Sequence, residues 1–162
     1  MSRRLLVVRH AKSDWSRSLA DHQRPINARG ERAARALGAF MGDKGKAPQR
    51  IVTSTATRAR TTARLIAHAA GWDAEVVEDR RLYEGNVGRT LDVIAELGEG
   101  VDALMVVGHQ PTWGQLVQHL SGGDVAMKTA TAVALDTETS WRSLRSQCCS
   151  IAWVIQPRLL VD

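Results

Sequence analysis

The sequence predicts an α/β protein, a three-layer α/β/α sandwich built on a mostly parallel central sheet. Three observations lead there. Apolar runs of strand length, Leu5-Leu6-Val7-Val8 and the stretch from Asp102 to Val107, are continuous rather than alternating. Such runs mark strands buried on both faces. Segments with apolar residues at helical spacing stand between the strand candidates, and that alternation builds a parallel sheet with right-handed crossovers. Finally, Arg9-His10, Ser54 to Arg58 and Gly108-His109 each come directly after a predicted strand. In a parallel sheet those junctions share one edge, where α/β proteins place their ligands.

Residues 4–8 form the first expected strand, and the polar stretch 11–26, with Pro25, a loop. Asn27 is a good N-cap for a helix through about residue 42, which Gly42, Gly45 and Pro48 bring to an end. Arg50 to Thr53 is a short second strand. Thr55 or Thr57 then caps a long helix through His68, Ala69 and Ala70, and Gly71 stops it. Glu75 to Glu78 alternates weakly and is a candidate strand. Residues 80–90 read as a loop, with Gly85 and Gly88, and 90–98 as a helix. After the second buried strand, Pro111 suits the first turn of a helix to Leu120, closed by Gly122-Gly123. Thr129 to Leu135 and Cys149 to Ile155 are late strands, for which an antiparallel arrangement is one option.

Bulk properties narrow the classes of function. A chain of 162 residues suits one domain, 1–162, with a real core. The net charge of +5 favours anionic ligands in a general way. The lysines and arginines are dispersed, with no basic block and no interleaved aromatics, which argues against nucleic acid as partner. No stretch approaches the ~20 apolar residues of a membrane span, and the N-terminal apolar run is too short for a signal peptide. A cytoplasmic protein with no membrane partner is the expectation. The only cysteines, Cys148 and Cys149, are adjacent. Neighbours on a strand point to opposite faces, so neither a disulfide nor a zinc site is expected. No histidine pair has metal-ligand spacing, and no metal and no cofactor are expected.

Guanidinium grips phosphate in a fork, and an imidazole beside it can attack phosphorus. A lone Arg-His pair is more often a surface feature. Three junctions carrying Arg9-His10, Arg58 and His109 make a phosphate pocket the better reading.

At these residues the chain resembles the histidine phosphatase superfamily, whose signature stands after the first strand as Arg-His-Gly or Arg-His-Ala. Here it reads Leu6-Val7-Val8-Arg9-His10-Ala11-Lys12-Ser13-Asp14-Trp15, similar to the small SixA-type phosphohistidine phosphatase branch. Asp21-His22-Gln23-Arg24-Pro25-Ile26-Asn27-Ala28-Arg29-Gly30 is similar to that branch's Asp-x-x-Arg-Pro-Leu-x-x-Arg-Gly segment. Thr53 to Thr62 resembles its second-arginine segment; Leu82-Tyr83-Glu84 and Gly108-His109-Gln110-Pro111 come next in family order. Lys128-Thr129-Ala130 resembles a late Pro-Thr stretch, with Lys where Pro is usual. The resemblance spans nearly the whole chain and implies a phosphoglycerate mutase-like fold. It also implies His10 as nucleophile, Arg9 and Arg58 as phosphate ligands, His109 as a further catalytic and phosphate-binding group, and Glu84 as proton donor.

These types suit the chemistry. Phosphoryl transfer is mostly positioning and charge stabilisation, and guanidinium groups can neutralise the oxygens without a metal. His10 needs a lone pair on its reacting nitrogen and a proton on the other, held by an acceptor such as a backbone carbonyl. Ser13 can reach a phosphate oxygen or equally stabilise a turn. Glu84 is as readily a solvated loop carboxylate as a donor. Lys12 reads as a rim charge, Arg24 and Arg29 as ion-pairing groups of the fold, and His22, His68 and His119 as surface or packing residues. The expected activity is hydrolysis of phosphohistidine on a protein, through a phosphohistidine enzyme. A small-molecule phosphomonoesterase or mutase of the same superfamily is the first rival, with a small phosphoester as substrate. A non-catalytic phosphate-binding module is the second.

Overall fold

The computed structural model describes residues 2–161. Its centre is a six-stranded sheet: β1 (Arg3–Arg9), β2 (Arg50–Thr53), β3 (Glu75–Glu78), β4 (Ala103–Gly108), β5 (Ala132–Thr137) and β6 (Ser150–Ile155). The strands lie in the order β3-β2-β4-β1-β5-β6. The first four in that order run parallel, whereas β5 is antiparallel to β1 and β6 to β5.

The helices α1 (Ala28–Gly42), α2 (Thr57–Ala70), α3 (Val87–Leu97) and α4 (Thr112–Ser121) cover both faces. The period-2 alternation of strand side chains sorts the core into two halves. Leu6 and Val8 of β1 join Leu37 of α1 and Ile66 of α2 on one side; Leu5 and Val7 join Val93 of α3 and Leu116 of α4 on the other. The central runs of β1 and β4 are continuously apolar because each residue has a helix layer to meet. The predicted three-layer sandwich is the observed one.

Local signals account for most element ends. Asn27 caps α1 by accepting from the Gly30 amide at 2.8 Å. Gly71 ends α2 with φ 71°, a left-handed conformation that glycine adopts without strain. The start of α2 differs from expectation: neither Thr55 nor Thr57 caps it, and Ala56 holds the cap position. The Thr55 hydroxyl is bonded to His22 Nε2 at 2.8 Å, and Ser54 Oγ accepts from the Ala56 amide instead. Helix α3 begins earlier than residue 90, because Asn86 accepts from the Arg89 amide at 2.9 Å and tolerates Gly88 in the first turn. Pro111 stands at the cap of α4, one residue before its first turn. Cys148 and Cys149 precede β6 rather than lying on it, after Gln147 turns the chain at φ 57°. Both are free, with their sulfurs 3.7 Å apart, so the opposite-face expectation does not hold. Among the described residues no helix is long and apolar enough to cross a membrane.

Candidate active site

The register of the sheet brings the predicted residues to one edge. Arg9 pairs with Gly108 across β1 and β4, and Thr53 with Val107 across β2 and β4. His10, Ser54 and His109 therefore leave the sheet side by side. Backbone bonds continue past the strand ends: His10 N donates to Gly108 O, and Ser54 N to Val107 O, each at 3.0 Å. A side chain at Gly108 would meet the Trp113 ring at 2.5 Å, so this junction needs glycine to pack α4 against the strand end. The edge opens into a cleft of about 740 Å³ whose lining includes Arg9, His10, Ser13, Arg58, Glu84 and His109.

His10 is 6% exposed, and its Nδ1 lies 2.7 Å from Ala11 O. A carbonyl only accepts, so Nδ1 carries the proton and Nε2 keeps a lone pair. Ala11 is itself held. Its amide donates to Thr62 Oγ1 at 2.9 Å, and that hydroxyl donates to Arg58 O at 2.7 Å. Thr62 thus ties the carbonyl that orients His10 to the first turn of α2. Burial is the main cause that lowers the His10 pKa to about 4; the bond to Ala11 opposes it, and Arg58, Arg9 and Arg24 reinforce it. The imidazole is neutral at neutral pH.

Arg9 donates from Nη1 to Met127 O at 3.0 Å, and burial, then Arg58, lowers its pKa. Arg58 is 6% exposed and donates to Asp21 O at 2.7 Å and to Asp21 Oδ2 at 3.0 Å. His109 Nε2 is bonded to Ser54 Oγ at 2.8 Å, and its ring lies 5.2 Å from that of His10. Burial, then His10 and Arg58, brings the His109 pKa down to about 3, so this ring is also neutral before an anion arrives. Arg9 Nε, Arg24 Nε, Arg58 Nε and His109 Nδ1 are buried without a hydrogen-bond partner among the described residues. Buried polar groups left unpaired in this way ask for an explanation, and a pocket that receives an oxyanion supplies one.

Three residues of the cleft carry more than sequence reasoning assigned them. Asp21 accepts from Arg24 at 2.7 Å, from the Tyr83 hydroxyl at 2.8 Å and from Arg58 at 3.0 Å. Desolvation pushes its carboxyl up, but these three hydrogen bonds outweigh that and hold it well below the usual carboxylate range. Asp21 thereby positions Arg58. Arg24, expected to serve only in ion pairing, makes that pair and also lines the cleft, stacked 3.6 Å over the Trp15 ring. Tyr83 lies edge-on to both His22 and His109. The signal was present in the Asp-x-x-Arg segment and in Leu82-Tyr83-Glu84, but it required knowing that the loops after β1 and β3 meet.

Ser13 is buried at the cleft wall, in an isolated bridge to Ile26. Glu84 lies at the rim, 57% exposed, in an ion pair with Arg80 at 3.0 Å. The hydrogen bond from Arg80 holds its carboxyl below the usual value, so it is ionised at neutral pH. Lys12 and Trp15 are exposed at the mouth, Trp15 by 75%. Among the described residues no group of three or more His, Cys, Asp or Glu could hold a metal ion.

The two lowered histidine pKa values make stability depend on pH. Between the ordinary value of 6.5 and about 4 for His10, or about 3 for His109, the unfolded chain binds protons that the folded chain refuses. Stability therefore falls as pH drops below 6.5. Urea midpoints are expected to decline from pH 7 to pH 4, less steeply in His10→Ala. Equal slopes in the two proteins would contradict the buried, neutral His10.

A mostly parallel α/β sheet with arginines and histidines gathered at the carboxyl edge of its parallel strands suits a phosphoryl-handling class of protein. A model of the histidine phosphatase superfamily (branch 1) matches residues 5–96. An uncharacterised protein of Mycobacterium tuberculosis (Rv1276c) is 33% identical over 162 residues, covering 93% of this chain and 100% of its own. A solved structure described as "Putative Phosphohistidine Phosphatase SixA from Nakamurella multipartitia" superposes with TM-score 0.86 at 29% identity, covering 97% of each chain. The protein histidine phosphatase SixA complexed with tungstate shares the fold, with TM-score 0.83 at 20% identity over 97% of this chain and 99% of that one. The chain belongs to the histidine phosphatase superfamily. Its relatives support a phosphatase.

Proposed function

We propose that this protein hydrolyses phosphohistidine on other proteins through a covalent phosphohistidine enzyme. His10 Nε2 attacks phosphorus; the bond from phosphorus to the substrate's imidazole breaks, and that imidazole, its other nitrogen protonated from solvent at the exposed mouth, leaves as a neutral ring. Water then attacks the enzyme-bound phosphoryl group, releasing phosphate and restoring the lone pair on Nε2. Arg9 and Arg58 neutralise the equatorial oxygens. His109 donates to them after taking up a proton as the dianion binds, and the Ser13 hydroxyl adds a further donor. The observation that carries this reading is the bond from His10 Nδ1 to Ala11 O, which leaves the other ring nitrogen free to attack.

Two features favour phosphohistidine over alkyl phosphates. Both carboxylates at the cleft, Asp21 and Glu84, are held ionised by neighbouring donors, which makes them poor acids for an alkoxide leaving group. An imidazole leaves without a strong acid. The mouth is also exposed at Trp15 and Glu84, as a protein-borne group requires. The SixA-type relative from Nakamurella multipartitia points the same way.

The test is a substrate panel run in the presence of a chelator: a phosphohistidine-bearing protein domain, p-nitrophenyl phosphate and glucose 6-phosphate. The phosphohistidine domain is expected to react with kcat/KM at least about a hundredfold above the sugar phosphate. Glu84→Gln is expected to change phosphohistidine turnover by less than about threefold, as for an exposed ion pair. Faster hydrolysis of the sugar phosphate, or activity that the chelator removes, would overturn the reading.

A further inference from the structure

Beside the catalytic cleft lies a second depression, of about 310 Å³. The two share Lys12 and Thr129, so they form one continuous surface. The walls of the second carry Lys12, Arg29, Lys128 and Arg158, and among the described residues no carboxylate lines it. Four separate segments bring these cations together. Lys12 comes after β1, Arg29 lies in the first turn of α1, Lys128 precedes β5, and Arg158 lies in the short helix (Pro157–Leu159) after β6. All four are exposed, and none has an ion pair or side-chain hydrogen bond to a described residue. Other surface arginines are paired, as in Arg4 with Asp136, Arg64 with Glu78 and Arg142 with Glu99.

Charge is also distributed unevenly along the cleft. Glu84 comes after β3, at one end of the sheet, and Lys128 and Thr129 precede β5, towards the other. An anionic chain leaving the phosphoryl site meets the Arg80–Glu84 ion pair in one direction and unpaired cations in the other. Among the described residues no aromatic ring lines the groove, so it lacks the aromatic stacking platform of single-stranded nucleic-acid sites.

We propose that this groove receives an acidic segment of the phosphohistidine-bearing substrate, directed from the cleft towards the β5–β6 end of the sheet. The inference rests on the phosphohistidine reading and adds what the substrate carries beside its phosphoryl group. Exposed charges of this kind steer and select a partner more than they tighten it. The effect belongs in kcat/KM for a protein substrate, not in turnover of a small aryl phosphate.

The test compares two synthetic phosphohistidine peptides, one with three glutamates flanking the phosphohistidine and one with glutamines in their place. Wild-type protein is expected to favour the glutamate peptide about tenfold in kcat/KM at low salt, and less at high salt. The double variant Lys128→Glu with Arg158→Glu is expected to lose that preference while hydrolysing p-nitrophenyl phosphate as the wild type does. Equal turnover of both peptides by wild-type protein would overturn the groove and leave the proposed function standing. That comparison decides the matter even where the double variant folds poorly. Turnover of neither peptide, with p-nitrophenyl phosphate still hydrolysed, would overturn the phosphohistidine reading and this inference with it. Stronger inhibition by a single-stranded oligonucleotide than by oligoglutamate would assign the groove to nucleic acid and overturn the proposal.

Discussion

Replacing His10 with alanine is expected to abolish phosphoryl transfer, by at least about 10⁴-fold in kcat, and to leave the fold standing. Arginines can hold a phosphoryl group but offer no lone pair to phosphorus, and His109, protonated once the dianion binds, offers none either. The side chain makes one hydrogen bond, to its neighbour Ala11, and the backbone that carries it is bonded independently to Gly108 and Ala130. The variant should therefore keep its far-UV circular dichroism spectrum and a cooperative unfolding transition. Activity within about tenfold of wild type would remove His10 from the mechanism. A non-catalytic binding module would show no turnover in either protein, so the same pair of measurements separates that rival.

The second large effect is expected at Arg58. Arg58→Ala removes a buried guanidinium that Asp21 holds in place through both its carboxylate and its carbonyl. Loss of one preorganised donor to a developing oxyanion costs about 10²–10³ in kcat. The loss should exceed that of Asp21→Asn, which keeps Arg58 and loosens only its anchoring. Arg58→Lys is expected to recover little, because a single ammonium cannot reproduce the planar fork. Steady-state kinetics on p-nitrophenyl phosphate reads all three. An Arg58→Ala protein with near wild-type kcat would place the charge stabilisation elsewhere in the cleft.

Much of this site was legible before the fold was known, and the reason is physical. Parallel strands buried on both faces announce themselves as apolar runs, and the residues just past each run must emerge at a common edge. Arg9-His10, Arg58 and His109 could therefore be grouped from position alone. The antiparallel placement of β5 and β6 was less legible, since their pairing depends on where the chain returns to β1. The cap of α2 was misplaced because local pattern cannot tell that His22, far away in sequence, engages the Thr55 hydroxyl. Asp21 and Tyr83 escaped assignment for the same reason, as did the place of Arg24 in the cleft. The Asp21–Tyr83 bond joins residues 62 apart, and nothing in either neighbourhood records the other. Glu84 shows the opposite case: its position matched expectation, while its ion pair with Arg80, which decides its acidity, came only with the structure.

The proposed catalysis turns on the neutral ring of His10 accepting the phosphoryl group. Mixing the protein with a phosphohistidine domain, quenching into alkali within milliseconds and mapping the phosphoryl group by mass spectrometry tests that step. Phosphohistidine survives alkali, and the group is predicted on His10, absent from His10→Ala and gone again as phosphate is released. A phosphoryl group on any other residue, or steady release of phosphate with His10 unmodified at every time point, would contradict it.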